Sequence, residues 1–303
     1  MSDFSEELSK NIKGAVLAQE PLARHTTWRI GGPAEVMVIP QNRQDVQSAL
    51  RLAARRGKKV TVIGNGSNLL VAESGVEGLV LKLVGGLTEW RLEGQRLRAE
   101  SGCLLPGLSR ASVAAGLTGL EFAAGIPASL GGALVMNAGA HGGELGSLVR
   151  EVLACNLSGE QITLARQDCD FGYRKSVFQQ GGLIVLEAVL ELEQGERENG
   201  LQLIQSNLAK RAESQPLEYP SAGSVFRNPP EAPAARLIDA AGAKGLRIGG
   251  AMVSDKHANF IVNAGGATAS DVLELIDTVK QMVVEKFNIE LHPEIRTLGC
   301  SRD

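Results

Sequence analysis

A single stretch of this chain limits its possible folds more than any other. GIPASLGGALVMNAGAHGGELG, residues 125–146, carries glycine at 125, 131, 132, 139, 142, 143 and 146, and no charged residue before Glu144. So much backbone freedom costs conformational entropy on folding. A flexible linker would be polar, yet this one holds Ile126, Leu130, Leu134, Val135 and Met136. The economical reading is a buried glycine-rich loop whose backbone wraps closely around a large ligand carrying phosphates and a flat ring.

A second, shorter glycine cluster, Gly64-Asn65-Gly66-Ser67-Asn68, follows the apolar run KVTVI. Glycines let successive backbone N–H groups turn toward one anion, and Ser67 and Asn68 can add side-chain hydrogen bonds. It lacks the third glycine and the following helix of a dinucleotide fingerprint. Taken alone, a tight strand-to-strand turn explains it equally well.

Three constrained segments carry reactive groups. SAGSVFRNP (Ser221 to Pro229) offers a hydroxyl, Ser224, beside Arg227 and Asn228; YRKS (Tyr173 to Ser176) supplies Arg174; HPEIR (His292 to Arg296) supplies Glu294. Each in isolation reads as a turn serine, a surface arginine or a capping glutamate. Their combination with two glycine loops favours a site.

The 303 residues suffice for two or three domains. Hydrophobic residues make up 44% and charged residues 21%, with a net charge of -3, so no overall basic field draws the chain to nucleic acid or membrane. The acidic start, MSDFSEEL, does not read as a signal peptide, and no apolar run approaches the roughly 20 residues of a membrane span. A cytoplasmic protein is expected. Cys103, Cys155, Cys169 and Cys300 form no CxxC, and His25, His141, His257 and His292 are scattered, so reduced thiols and no metal site are expected.

Periodicity predicts an amphipathic helix over residues 5–19, a strand over Glu35–Ile39, a helix over Asp45–Gly57 and strands at KVTVIG, LLVAE and GLVLKLV. Hairpins are expected at WRLEGQRLRAES and EVLACNLSGEQITLA, with a helix over Ser109–Gly116 between them. The strand LIVLEAVLELEQ precedes GERENG, a charged candidate linker. A third region adds helices over Leu201–Ser214, AARLIDAAG and SDVLELIDTVKQMVVEKFN, with a strand at NFIVN.

The two loops together with YRKSVF, AGSVFRNP, KGLRIGGAMVSDKHANFIVN and LHPEIRTLG resemble the UDP-N-acetylenolpyruvoylglucosamine reductase family, also called UDP-N-acetylmuramate dehydrogenases, from about Pro21 to Gly299 and in the family's order. The resemblance implies an α+β fold. An FAD-binding unit of the vanillyl-alcohol oxidase and p-cresol methylhydroxylase type would comprise residues 1–80, joined by 290–303, and 81–198. A smaller α+β substrate domain would span 199–289. The carboxy-terminal strand would return to the first domain and bring Glu294 to the flavin.

Carried over by position, Arg174, Ser224 and Glu294 match the family's catalytic residues. Gly64, Asn65, Gly66, Ser67, Asn68 and Leu69 in the first loop would bind non-covalent FAD. So would Gly125, Ile126, Pro127, Ser129, Gly131, Gly132, Asn137, Gly139 and Ala140 in the second. Lys244 and His257 match contacts to the uridine-diphosphate part of the substrate, and Tyr173, Arg227 and Asn228, beside catalytic positions, are expected to bind the substrate as well. Two departures matter. The family often has a basic residue before the proline upstream of the serine, but Ser214 and Gln215 precede Pro216 here, leaving Lys210 or Arg211 as substitutes. No tyrosine lies between Arg174 and Tyr219, so the chain resembles the branch lacking an extra tyrosine-bearing loop.

The reaction implied is NADPH-dependent reduction of an enolpyruvyl ether to a lactyl ether in peptidoglycan precursor synthesis, with FAD as hydride relay. Arg174 suits a developing enolate through its fixed fork of donors. Glu294 would help as a neutral donor if burial raises its pKa, and Ser224 would supply the proton. The expected partner is a UDP-sugar, with neither nucleic acid nor membrane, and the chain a monomer or weak oligomer. Two other readings compete. A related flavin oxidase would often tether its cofactor through a histidine near the first loop, and residues 64–70 contain none. A nucleotide-sugar-binding regulator without turnover would not need Arg174, Ser224 and Glu294 intact.

Overall fold

A computed structural model describes residues 3–300; the outermost residues of the expected first domain, 1–2 and 301–303, lie outside the described residues. The chain divides into two compact units, one formed by residues 1–19, 35–65 and 77–210, the other by 20–34, 66–76 and 211–303.

In the first unit, helix α1 (Asp3–Asn11) and helix α2 (Arg43–Arg55) accompany a four-stranded sheet ordered Ala15–Pro21, Pro33–Ile39, Val76–Lys82, Val60–Ile63. The last two strands run parallel. Phe4 and Leu8 of α1 join Val46, Ala49, Leu50 and Ala53 of α2 and Val36, Val38, Leu79 and Leu81 of the sheet in one core. The expected helix over 5–19 stops at Asn11. The Asp45 carboxylate accepts hydrogen bonds from the amides of Lys13 (3.1 Å) and Gly14 (2.8 Å), and a Cβ at Gly14 would lie 2.1 Å from the Ile39 carbonyl oxygen. These ties pull the chain into an extended strand, a tertiary constraint that local periodicity does not carry.

A five-stranded antiparallel sheet follows, ordered Gln161–Ala165, Val149–Asn156, Leu183–Glu191, Arg96–Glu100, Trp90–Glu93, which contains both expected hairpins. Helix α3 (Leu105–Ala114) begins four residues before the expected start, with Pro106 in its first turn. The second glycine loop is not irregular throughout. It contains helix α4 (Leu130–Met136) and runs into the one-turn helix α5 (Leu145–Leu148). Leu130, Ala133 and Leu134 stand at i, i+3 and i+4 and are buried in the core of this sheet, a helical stripe that the glycine count obscured. Helix α6 (Arg197–Ser214) starts inside GERENG, so the expected linker supplies its first turn; Gly200 allows close packing, since a Cβ there would lie 2.8 Å from Val113 Cγ1.

The second unit has a four-stranded antiparallel sheet ordered Ser221–Ser224, Phe260–Asn263, Ala251–Val253, Arg247–Ile248, with helices α7 (Ala234–Ala240) and α8 (Ala269–Phe287). A full capping box at Thr268 and Asp271 starts α8. Trp28 is fully buried in this core and donates its indole N–H to the Ile261 carbonyl at 2.8 Å. The carboxy-terminal strand, Arg296–Leu298, pairs in parallel with Leu69–Val71, directly after the first glycine loop.

Candidate active site

In the first unit the two glycine loops meet. The Asn65 side-chain amide donates to the Pro127 carbonyl at 2.8 Å, and a Cβ at Gly64 would lie 2.3 Å from Ser129 Oγ. Ser129 caps α4, accepting from the Gly132 amide at 3.3 Å. The glycines of the second loop fall into two kinds. A Cβ at Gly131 would lie 2.9 Å from Ser101 Cβ, and one at Gly139 would lie 2.6 Å from the Gly143 carbonyl, so protein packing demands both. At Gly132 a Cβ would meet nothing closer than 3.4 Å. That glycine leaves space the protein does not fill. Fully buried Asn137 takes a left-handed conformation; its amide donates to Gly172 and its oxygen accepts from the Gly146 amide. Its side chain is committed to the backbone, which leaves ligand contact to its peptide groups. Gly139–Ala140 pairs with Gly143–Glu144.

Arg174 belongs to this unit. Its backbone is left-handed (φ 53°), a conformation that costs a non-glycine residue on the order of 1 kcal/mol or more. The strain is held by the Gly172–Lys175 bridge and by the Gln179 amide, which donates to the Arg174 carbonyl at 2.8 Å. Ser176 Oγ and the Gln179 amide both donate to the Val135 carbonyl, fastening this turn to the end of α4. The guanidinium lies 5.1 Å from the centre of the exposed Tyr173 ring, and one of its nitrogens is 3.5 Å from the Gly139 carbonyl. Sequence order alone separates Arg174 from Gly139 by 35 residues; the fold places it at the second glycine loop.

The second unit holds the rest of the first loop with Ser224 and Glu294. A Cβ at Gly66 would lie 2.0 Å from the His25 carbonyl, and the Thr27 amide donates to the Gly66 carbonyl at 3.2 Å, so the segment His25–Thr27 supports the loop from beneath. Sequence reading passed over that segment. Ser224 ends its strand opposite Phe260. The next residue, Val225, donates its amide to the Asn259 carbonyl at 2.8 Å and accepts from the Glu294 amide at 2.7 Å. Asn259, itself buried, clamps Phe226 by accepting from its amide and donating to its carbonyl. Asn68 reaches the same segment: its side-chain amide donates to the Glu294 carbonyl at 3.2 Å, and its carbonyl accepts from the Arg296 amide at 2.9 Å. Glu294 is therefore threaded between the glycine loop and the strand that ends in Ser224.

The second unit also carries several basic side chains, Arg211, Arg227, Lys244, Lys256 and His257. Arg227 donates its amide to the His292 carbonyl, and its Nε is buried with no partner among the described residues. Asn228 Oδ1 caps α7 by accepting from the Ala234 amide at 3.0 Å, which leaves its NH2 to donate elsewhere. Burial lowers the pKa of Arg211 in the last turn of α6, and the adjacent Ala212 carbonyl accepts from Lys256 Nζ at 2.6 Å. His257 is held below the ordinary imidazole range first by burial and then by the Lys244 charge. Its Nδ1 accepts from the Asn259 amide at 3.3 Å, so the neutral ring carries its proton on Nε2 and presents a donor. Lys244 forms an ion pair with Asp239 at 2.8 Å.

Among the described residues no group of three His, Cys, Asp or Glu side chains could hold a metal ion, and no helix is long and apolar enough to cross a membrane. Cys103, Cys155 and Cys169 are in no disulfide, and burial pushes the pKa of each thiol up to about 11.

Residues 34–165 match the family described as FAD binding domain, and residues 215–298 match UDP-N-acetylenolpyruvoylglucosamine reductase, C-terminal domain. The chain is 49% identical over 296 residues to the UDP-N-acetylenolpyruvoylglucosamine reductase of Heliobacterium modesticaldum, covering 97% of this chain and 94% of that protein. It is 46% identical to the enzyme of that name from Bacillus subtilis, over the whole of both chains. A crystal structure of UDP-N-acetylenolpyruvylglucosamine reductase from Thermus caldophilus superposes with a TM-score of 0.81 at 37% identity, over 95% of this chain and 99% of that one. With its α+β fold and its FAD-binding domain, the chain belongs to the UDP-N-acetylenolpyruvoylglucosamine reductase family.

Proposed function

We propose that Arg174, Ser224 and Glu294 carry out the reaction of this family: the FAD-mediated, NADPH-dependent reduction of UDP-N-acetylenolpyruvoylglucosamine to UDP-N-acetylmuramate in peptidoglycan precursor synthesis. The observation that carries the assignment is the path of Glu294, tied to Asn68 of the first glycine loop on one side and to Val225, next to Ser224, on the other.

The residues present fit FAD. Gly132 keeps open a space that a side chain would enter, and Asn65 ties the two glycine loops together beside it. Gly64–Leu69 and Gly125–Ala140 would hold the cofactor through their backbone. When bound, FAD supplies to the terminal vinyl carbon the hydride that NADPH provides. The chain then has to manage the charge that develops on the carboxylate and the neighbouring carbon. Arg174 offers a planar fork of donors to that carboxylate, pre-positioned by its strained turn. A protonated Glu294 would donate a second hydrogen bond. Ser224 Oγ–H gives its proton to the carbon bearing the carboxylate, which is basic enough as an enolate to take it.

The nucleotide end belongs to the cations of the second unit. Lys244, His257 and Arg227 would meet the diphosphate, and Asn228 would donate from its NH2. Arg211 is the substitute we favour for the family's missing basic residue before Pro216, because it is buried and the adjacent Ala212 carbonyl is tied to Lys256, the neighbour of His257. Tyr173 would cover the sugar end. The division into two FAD subdomains, 1–80 with 290–303 and 81–198, and a substrate domain, 199–289, is part of the proposal. So are a cytoplasmic location and a monomeric or weakly oligomeric state.

The visible spectrum of purified protein tests the reading. A yellow protein, bleached by NADPH without oxygen and recoloured by the enolpyruvyl sugar nucleotide, is expected. A colourless protein would favour a nucleotide-sugar-binding regulator, and one recoloured by oxygen alone would favour an oxidase.

A further inference from the structure

The ion pair between Lys244 and Asp239 serves no evident structural purpose. Asp239 stands in the last turn of α7, where a negative charge opposes the helix dipole. Its side chain is 53% exposed and that of Lys244 34%, so the pair is solvated and cheap to break. The backbone around the lysine, by contrast, is firmly set. The Gly242 amide donates to the Asp239 carbonyl at 2.9 Å, and the Gly245 amide donates to the Val253 carbonyl at 3.0 Å. Both glycines are left-handed, at φ 83° and 74°. The ammonium lies 2.8 Å from the Asp239 carboxylate and its charge is felt at the His257 ring, while the Asp255 carboxylate lies against Gly245, the next residue.

We propose that Asp239 is a built-in anionic competitor, holding the Lys244 ammonium while the nucleotide site is empty and surrendering it to the diphosphate of the substrate. This rests on the reading of Lys244 and His257 as diphosphate contacts. Breaking the ion pair costs part of the binding free energy, so Asp239 weakens retention of the nucleotide and favours release of the product, which carries the same diphosphate. Asp239 touches no substrate atom in this scheme; it acts through Lys244.

Calorimetric titration of the full-length, FAD-loaded protein with UDP, and with uridine as the uncharged control, tests the proposal. Asp239→Asn should bind UDP roughly two- to fivefold more tightly than the unsubstituted protein, the worth of an exposed ion pair. Asp239→Ser should shift affinity in the same direction, and uridine affinity should not change. Structural damage would move affinity the opposite way. Lys244→Ala should weaken UDP roughly tenfold or more, and adding Asp239→Asn to it should give no further gain, because no ammonium remains to be released. The proposal is overturned if Asp239→Asn weakens UDP or leaves it unchanged while Lys244→Ala weakens it. It is also overturned if the gain persists in the Lys244→Ala background, or if uridine gains equally. If Lys244→Ala leaves UDP affinity unaltered, the diphosphate reading of Lys244 itself is wrong, and the competitor role goes with it.

Discussion

Gly132→Val separates a glycine kept for a ligand from one kept for the fold. A Cβ at Gly132 would approach nothing in the protein more closely than 3.4 Å, and the residue lies in helix α4. Valine is a slightly better helix former than glycine, by a few tenths of a kcal/mol, so the FAD-free variant should melt at or just above the parent's temperature. The added methyl groups would enter the space assigned to the cofactor. Overpacking of that kind costs about 1–3 kcal/mol, which corresponds to roughly a 5- to 150-fold weaker FAD complex. Gly131→Ala makes the contrast. Its new Cβ would lie 2.9 Å from Ser101 Cβ, so it should destabilise the fold by a similar amount while the folded fraction still binds FAD. Quenching of flavin fluorescence on titration of the stripped protein gives the affinity, and thermal melting without FAD gives the stability. Parental FAD affinity in Gly132→Val would refute the placement of the cofactor against α4.

Other substitutions probe the remaining groups. Arg174→Lys keeps the charge but loses the fork, and turnover should fall by roughly 10²-fold or more, as for loss of one pre-positioned donor; an unaffected rate would show that charge alone suffices. Glu294→Gln should retain more activity than Glu294→Ala if the carboxyl acts as a neutral donor, because the amide still donates, whereas equal losses would count against that role. For His257 the folded-state pKa is lowered, so the unfolded chain takes up the proton first: stability is complete above about pH 6.5 and declines as the pH drops below it. Denaturant unfolding at pH 7.5 and 5.5 should therefore show a smaller acid-induced loss in His257→Gln than in the parent, and identical losses would remove His257 as a contributor.

Much of this site was legible in the sequence because its parts lie in short segments dense with glycine and proline. AGSVFRNP and HPEIR each announce a constrained backbone, but 68 residues separate Ser224 from His292. Nothing local reveals that the Glu294 amide pairs with Val225, or that Arg296–Leu298 lies in parallel beside Leu69–Val71. That register is set by long-range packing. The glycine count of the second loop pointed to a ligand but hid the Leu130, Ala133, Leu134 stripe that makes part of it a helix. The same count could not distinguish Gly131, crowded by Ser101, from Gly132, where a Cβ would meet nothing closer than Ser129 Oγ at 3.4 Å. At the amino terminus the helical pattern of residues 5–19 yields to Asp45, a side chain some thirty residues away that captures the amides of Lys13 and Gly14. Asp239 had only a faint signal, an acidic residue at the unfavourable end of a helix five positions before a lysine.

The central claim is that Ser224 delivers the proton to the enolate carbon, and the two half-reactions can be timed separately to test it. Stopped-flow spectroscopy of Ser224→Ala without oxygen should show FAD bound and bleached by NADPH at near-parental rate. Recolouring by the enolpyruvyl sugar nucleotide should slow by roughly 10²- to 10⁴-fold, the usual worth of a positioned general acid, and Ser224→Cys should recover part of the loss. A variant slowed only in the NADPH step, with recolouring by substrate at the parental rate, would contradict the claim.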